Sequence, residues 1–187
     1  MKNFFIQKNN LKKGFTLVET LVALSVFTTS VLAMLIILSQ GITQTNYAKN
    51  KLVATYLAQE GVEYFRNLRD NYMLYGANGF IDFNKALNNK NCLNTEGCGF
   101  IDLSTPFQLD TDVFYCGDAT STDCQLGLYE GKYSPIILNP NPDSGFKRVV
   151  TFTSDDPNVI HIVSTVSWMQ NSGEHSVSFS EDLLGWY

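Results

Sequence analysis

Residues 12–21 read Lys-Lys-Gly-Phe-Thr-Leu-Val-Glu-Thr-Leu, and this stretch joins two segments of opposite character. Residues 1–14 contain four lysines and no acidic residue. The 24 residues from Phe15 to Leu38 comprise 17 apolar residues, six serines or threonines, and Glu19. No Pro or Gly interrupts this run, and a helix of this length, at about 1.5 Å per residue, spans a bilayer core of roughly 30 Å. The stretch therefore predicts a membrane-spanning helix.

The charges around the apolar run predict its orientation and leave one residue to explain. Lysines precede the run and no charged residue occurs from Thr20 to Ala48, so the N-terminus is expected in the cytoplasm. A cleaved secretory signal would be shorter, and the surroundings of Ala33 match its cleavage site only loosely. A plain signal anchor fits everything except Glu19, because a carboxylate near the bilayer centre costs about 2.5–3.5 kcal/mol. Such a group normally has a partner.

The same residues, from Lys12 to Leu21, closely resemble the class III signal of type IV pilins and type II secretion pseudopilins. The resemblance implies that a membrane peptidase cuts after Gly14 on the cytoplasmic side and methylates the new terminal amine, which belongs to Phe15. It also implies that Glu19, the fifth residue of the mature chain, meets the terminal amine of a neighbouring subunit. The physics agrees, because an unpaired carboxylate and an unpaired ammonium are each costly in a low-dielectric bundle and would enforce one axial register.

Helical periodicity continues past Leu38 to about Asp70. Apolar residues recur there at the spacing of one helix face, and the predicted stripe consists of Val53, Tyr56, Leu57, Gly61, Tyr64 and Leu68. With the resemblance, this predicts an α+β fold in which a small antiparallel β-sheet packs on the second half of one long N-terminal helix, the pilin fold. The expected organisation is a cleaved leader at 1–14, a transmembrane or filament-core half at 15–38, an amphipathic half at 39–70 and an extracytoplasmic β-rich domain at 71–187.

The charged residues of the amphipathic half leave two interpretations open. Glu60 projects near the apolar stripe, whereas Glu63, Arg66, Arg69 and Asp70 lie largely off it. They form either a solvated face with local pairs, such as Glu63 with Arg66, or contacts between subunits of a filament. The solvated face is preferred for Arg69 and Asp70, and the choice stays open for Glu60.

The C-terminal third predicts an antiparallel meander. Three runs alternate between two faces and are separated by turn residues at 155–158 and 170–173. The expected inward rows are Phe146, Arg148, Val150 and Phe152, then Ile160, Ile162, Val166 and Trp168, then Val177 and Phe179. Residues 71–145 are rich in Asn, Asp, Gly and Tyr and are predicted to form short strands and loops.

Four cysteines lie in the outer part, namely Cys92, Cys98, Cys116 and Cys124. The predicted topology places them where disulfides form and persist. Four cysteines allow three connectivities, and the two local pairs, Cys92–Cys98 and Cys116–Cys124, are favoured because each spans only a polar turn. Zinc is the lesser alternative, since no pair has the C-x₂₋₄-C spacing.

Other chemistry has weaker support. Calcium is suggested by Asp110, Asp112, Asp118 and Asp123, but Phe114 and Ser121 stand where an EF-hand requires ligands, so solvated loop acids are the better interpretation. His161 and His175 lack a spaced Cys, Ser or acidic partner of a recognised catalytic type, and we expect both at the surface. No catalytic residue, metal or cofactor is predicted. The net charge of −5 and the few basic residues argue against nucleic acid as a direct ligand.

The expected function is therefore structural. The chain is interpreted as a subunit of a type IV pilus or a type II secretion pseudopilus, held in the cell membrane by a single span before it enters a filament at the surface or in the envelope. Its expected partners are other pilin or pseudopilin subunits, the prepilin peptidase and the inner-membrane assembly machinery. The family's major pilins often have proline at the twenty-second mature residue, and Ile36 stands there instead, which favours a minor subunit. The alternative is a membrane-anchored binding or adhesion module that never polymerises.

Overall fold

The computed structural model describes residues 14–101, 112–117, 124–135, 143–170 and 173–185, with Asp155 described by its backbone alone. The chain divides into two compact units, with the boundary between Asn46 and Tyr47. The first unit is the N-terminal part of helix α1, and the second contains the rest of that helix together with all other elements. The α+β class predicted from the sequence is confirmed.

Helix α1 covers Leu17–Tyr75, and helix α2 covers Phe80–Asn89. The first ends five residues beyond the predicted end near Asp70. The second contradicts the prediction of only strands and loops between 71 and 145. Phe80, Phe83 and Leu87 recur at helical spacing and are all buried, a periodicity that the many Asn and Asp residues around them obscured.

Seven strands of the described residues form one antiparallel sheet. The short strands are β1 (Cys98–Phe100), β2 (Val113–Tyr115), β3 (Gln125–Tyr129) and β4 (Lys132–Pro135). The long strands are β5 (Asp143–Asp156), β6 (Val159–Gln170) and β7 (Gly173–Leu184). One edge of β5 pairs with β6, which pairs with β7, and this confirms the predicted meander. The other edge of β5 is shared by the β1–β2 pair and the β3–β4 hairpin.

The core lies between the second half of α1 and one face of this sheet. The predicted inward rows of β5 and β6 are buried, and Ser164 completes the row of β6. On α1 the buried face differs from the predicted stripe, because Tyr56 is exposed and the face is instead made by Ala54, Leu57, Ala58, Gly61, Val62, Tyr64, Phe65 and Leu68. Tyr56 falls outside because the helical spacing of 3.6 residues per turn places it on the side of α1 opposite Ala54, Ala58 and Phe65.

Two aromatic-rich clusters fill this core. The larger one joins α1 and α2 to the sheet through Phe65, Phe83, Phe100 and Phe152, whose neighbours include Ile160 and Leu183. The smaller one surrounds Leu57, Phe146 and Trp168. Since α1 contributes to both clusters, the sheet cannot form its complete core without that helix.

Candidate functional site

The predicted cleavage junction is solvent-exposed in the structure. Gly14, Phe15 and Thr16 precede the first residue of α1, so the Gly14–Phe15 peptide bond lies outside the helix. Nothing lies within 4 Å of the space that a Cβ on Gly14 would occupy. The Phe15 side chain is 81% exposed. A protease can therefore reach this bond without unwinding α1; Lys12 and Lys13 lie outside the described residues.

Helix α1 starts with a side-chain cap that the sequence analysis missed. The backbone N–H of Glu19 donates to Thr16 Oγ1 at 3.3 Å, and the N–H of Thr20 donates to the carbonyl of Thr16 at 3.2 Å. The pattern Thr-x-x-Glu before an apolar run is a capping-box sequence. It could have been recognised, but Glu19 was considered only for its charge. Thr16 thus positions the start of the helix two residues after the predicted cut.

Glu19 lies in the first turn of α1, where a negative charge interacts favourably with the helix dipole. It is solvent-exposed, and no salt bridge joins it to a cation in the described part of the chain. It is also the only charged residue of α1 before Lys49. The geometry leaves its carboxylate accessible to a group from outside the chain.

The surface of the helix around and after Glu19 is apolar on every side. Every residue from Leu17 to Leu38 is exposed. Among the described residues, α1 is the one helix long and apolar enough to cross a membrane, and no part of its apolar window is buried within the protein. This surface fits a membrane anchor or a bundle of helices.

Four hydroxyl groups in this apolar segment are satisfied by the helix itself. The side chains of Thr20, Ser25, Thr28 and Thr29 each donate to a backbone carbonyl three or four residues earlier, at 2.8–3.0 Å. A hydroxyl bonded in this way does not need water. The serines and threonines are therefore compatible with a lipid environment and leave Glu19 as the exceptional polar group.

The structure joins the four cysteines as Cys92–Cys98 and Cys116–Cys124, which is the local pairing. All four are buried. The described residues contain no group of three or more His, Cys, Asp or Glu side chains placed to hold a metal ion. Of the suggested calcium acids, Asp112 is buried, and Asp110, Asp118 and Asp123 lie outside the described residues.

The two histidines are placed on opposite faces of the sheet. His161 is exposed on β6, and its Nδ1 lies 2.6 Å from Asp182 Oδ1 on β7. His175 packs its ring edge-on against Tyr47, with 5.1 Å between centroids, and lies 5.6 Å from Trp168. His161 forms a surface pair and His175 forms part of an aromatic contact between β7 and α1.

The charged residues of the amphipathic half contact the sheet more than expected. Arg66 donates to both Glu63 and Glu181, and the hydrogen bond with Glu181 is the main cause that raises the pKa of its guanidinium. Arg69 bonds Asp70 and also donates to the carbonyl of Leu184 at 3.2 Å. The local Glu63–Arg66 pair is thus present, but both arginines also tie α1 to β7.

Glu60 has a partner that could not be foreseen from the helix alone. Its Oε2 accepts from Nη1 of Arg148 at 2.7 Å, and the Arg148 side chain is only 2% exposed. The guanidinium carbon of Arg148 lies 3.7 Å from the centroid of the Phe100 ring. Glu60 therefore neutralises a cation in the core of its own chain.

The fold and the N-terminal segment together define a class of protein. A long N-terminal helix followed by a small antiparallel sheet matches the layout of the pilin fold. Residues 9–35 match the family model of the prokaryotic N-terminal methylation motif, which is the class III signal peptide of type IV pilins and pseudopilins. The motif points to a structural subunit of pilin type that is a substrate of prepilin peptidase. Comparisons with curated proteins and with solved structures give no match to the chain.

Proposed function

We propose that this chain is a minor subunit of a type IV pilus or a type II secretion pseudopilus. The observation that carries the proposal is Glu19, a single exposed carboxylate at the start of an otherwise uncharged apolar helix, five residues after Gly14 of the methylation motif. An inert anchor gains nothing from a charge at this position, whereas a helix that assembles in one register does.

Processing is the first step. Prepilin peptidase cuts the exposed Gly14–Phe15 bond on the cytoplasmic side and methylates the amine of Phe15. Residues 1–14 are the leader, and their removal takes four lysines away, which changes the net charge from −5 to −9. The mature chain then consists of the apolar helix half at 15–38, the amphipathic half at 39–70 and the extracytoplasmic domain at 71–187.

Assembly exchanges lipid contacts of the apolar helix for contacts with the helices of other subunits. In that environment the Glu19 carboxylate of one subunit pairs with the Phe15 amine of its neighbour. Pairing is favoured because each charge alone is costly in a medium of low dielectric constant. In this scheme the inner-membrane assembly machinery supplies the subunits, and the assembly step itself forms no covalent bond between them.

The minor role rests on Ile36. The major pilins' proline at the twenty-second mature residue would interrupt the backbone hydrogen bonding of the helix, whereas α1 continues through Ile36 to Tyr75. A helix without that proline lacks a built-in point at which to melt during filament growth, and this favours a subunit present in few copies.

Mass spectrometry of the chain isolated from membranes tests the processing step. We expect an N-terminus at Phe15 carrying one methyl group, and a Gly14→Arg variant, with a bulky charged residue before the cut, should retain its leader. A chain that keeps residues 1–14, or one cut near Ala33, would overturn the processing proposal.

A Glu19→Ala variant tests assembly. It should be processed and inserted into the membrane like the wild type but should be lost from sheared or purified filaments. Glu174→Ala is the matched control, because Glu174 is an exposed carboxylate on β7, far along the chain from the helix start, and this variant should still assemble. If Glu19→Ala entered filaments normally, the register role of Glu19 would be wrong. If the wild-type chain never entered filaments, it would be better described as a non-polymerising membrane-anchored binding module.

A further inference from the structure

Strand β7 is a long and regular edge strand whose charged residues are all acidic. Among the described residues it pairs only with β6, through twelve consecutive pairs and no bulge. Edge strands are normally kept from pairing with other chains by Pro, by charged side chains, especially Lys, by a bulge or by short length. Residues 173–184 contain no Pro, Lys or Arg. A long regular edge of this kind offers its backbone groups to a further strand.

A groove runs beside this edge, between α1 and β7. Phe179 pairs with Ser164, which is buried beneath α1, so its side chain is on the helix-facing side of the sheet. It is nevertheless 40% exposed, because α1 does not cover it. Tyr56, Val62, Glu63 and Arg66 of α1 line this groove together with Phe179, and its volume is about 480 Å³. A strand added to β7 would place every second side chain in this groove.

The charges along β7 determine which kind of strand can pair with this edge. The charged residues of β7 are Glu174, Glu181 and Asp182, all acidic. Two β7 strands side by side would bring six carboxylates together along one seam, and like charges across a strand pair are destabilising. Glu60 and Glu63 line the groove, so that together with Glu181 three carboxylates share the two guanidinium groups of Arg66 and Arg148. The surface disfavours a second copy of this chain and favours a basic strand.

We propose that the β7 edge and its groove bind an extended, basic segment of another protein as an eighth strand of the sheet. Main-chain hydrogen bonds to β7 supply affinity, and side-chain pockets supply specificity, as in other cases of strand addition. Alternate apolar side chains of the segment cover Phe179 and Tyr56, and its Lys or Arg side chains approach the carboxylates of Glu63 and Glu181. The proposal does not depend on cleavage after Gly14 or on filament assembly.

The test uses the full chain in neutral detergent micelles and fluorescently labelled peptides. The probe peptide alternates valine and threonine and carries lysine at both ends and near its centre. A second peptide has glutamate in place of each lysine, and a third has proline at a central valine. Fluorescence anisotropy should show binding of the basic peptide, binding at least about tenfold weaker for the acidic one, and no binding of the proline peptide. Amide hydrogen exchange of β7 should slow when the basic peptide is added.

Matched variants assign the binding to the groove. Phe179→Ala and Tyr56→Ala should each weaken binding of the basic peptide by about tenfold. Leu128→Ala should not change it, since Leu128 is 41% exposed on β3 and so equals Phe179 in exposure. The proposal would be overturned if the acidic peptide bound as tightly as the basic one or if neither charged peptide bound. It would also be overturned if neither Phe179→Ala nor Tyr56→Ala weakened binding of the basic peptide. The proposal would also be overturned if, in the absence of peptide, amide hydrogen exchange of β7 slowed as the protein concentration rose. A second copy of the chain would then occupy the edge.

Discussion

At the scale of single residues, a buried cation lies in the core of the second compact unit, residues 47–187, here called the outer unit. The contacts of Arg148 include the Glu60 carboxylate, the carbonyl of Leu57 at 3.5 Å and the Phe100 ring. Removing one member of a buried ion pair is costly because the other stays desolvated. The cost is reduced here by Glu60, whose side chain is 41% exposed.

A Glu60→Ala variant is expected to lower the free energy of unfolding by about 1 to 3 kcal/mol, because Arg148 loses its charged acceptor while its other contacts remain. Urea unfolding followed by tryptophan fluorescence measures the change. Glu63→Ala is the control one helical turn away. It should cost less than about 0.5 kcal/mol, since Arg66 keeps Glu181 and the Glu63 pair is exposed. Equal losses in the two variants would contradict the importance given to Arg148.

Gly61 marks the closest approach of α1 to the sheet. A Cβ at this position would overlap the hydroxyl of Ser164 and lie 3.0 Å from its Cβ. The Ser164 hydroxyl is itself buried and has no hydrogen-bond partner among the described residues. The pair is thus a contact between small residues rather than a polar interaction.

Gly61→Ala should destabilise the outer unit by about 1 to 2 kcal/mol, because overpacking outweighs the gain in helix propensity of at most about 1 kcal/mol. In a Ser164→Ala background the same change should cost clearly less, and Ser164→Ala alone should not destabilise. Thermal unfolding of the four chains gives the coupling energy. Gly41→Ala, at a glycine of α1 with nothing within 4 Å, should leave unfolding of the outer unit unchanged. A cost of Gly61→Ala that is independent of residue 164 would be inconsistent with this contact.

At the scale of elements, α2 depends on one carboxylate at its start. Its N-cap is Gly79, which has a positive φ of 53° and no side chain to cap the helix. Asp82 instead accepts from the backbone and side-chain N–H groups of Asn78, at 3.0 and 3.2 Å. The side-chain bond, followed by the backbone bond, lowers the pKa of Asp82. The ionised carboxylate therefore organises the first turn.

This predicts that α2 loosens in acid. A carboxyl group with a lowered pKa in the folded chain contributes stability above its unfolded pKa, and that contribution is lost as the pH falls through the folded pKa. Hydrogen exchange of α2 amides, corrected for the intrinsic rate, should thus accelerate as the pH falls below about 4. Asp82→Asn should abolish this dependence while α1 behaves as in the wild type. If the variant kept the acid transition of α2, another group would be responsible.

At the scale of the whole molecule, the two disulfides link the short strands to neighbouring segments outside the meander. Cys98 on β1 is bonded to Cys92 just after α2, while Cys116 after β2 is bonded to Cys124 before β3. Strand β1 meets β5 at a single pair, Cys98 with Val150. The meander of β5, β6 and β7 is held by its own local pairing and does not include a cysteine.

Replacing either cysteine pair by serines should lower stability by about 2 to 3 kcal/mol, the entropy of closing a loop of this length. The loss should be local: amides of β1 and β2 should exchange faster, whereas those of β6 should keep their protection. Hydrogen exchange with mass spectrometry on the full chain distinguishes the regions. Equal loss of protection in β6 would mean that the disulfides support the entire outer unit.

The sequence by itself determined the long apolar helix, the position of Glu19 and the C-terminal meander, and it predicts a cut between Gly14 and Phe15. These features depend on local composition and on periods of 2 or 3.6 residues, which can be read along the chain. The local cysteine pairing was favoured for the same reason, since each pair closes a short turn.

Only the tertiary structure decided which residues meet across long separations. Arg148 on an inward row and Glu60 beside the helix stripe were both visible, but their pairing depends on how α1 lies on β5. The burial of α2, the exposure of Tyr56 and the uncovered Phe179 depend likewise on which surfaces the packed elements leave open. Contacts between elements arise from the geometry of the whole core, whereas residues 17–38 of α1 are exposed and the character of this segment is therefore set by its own residues.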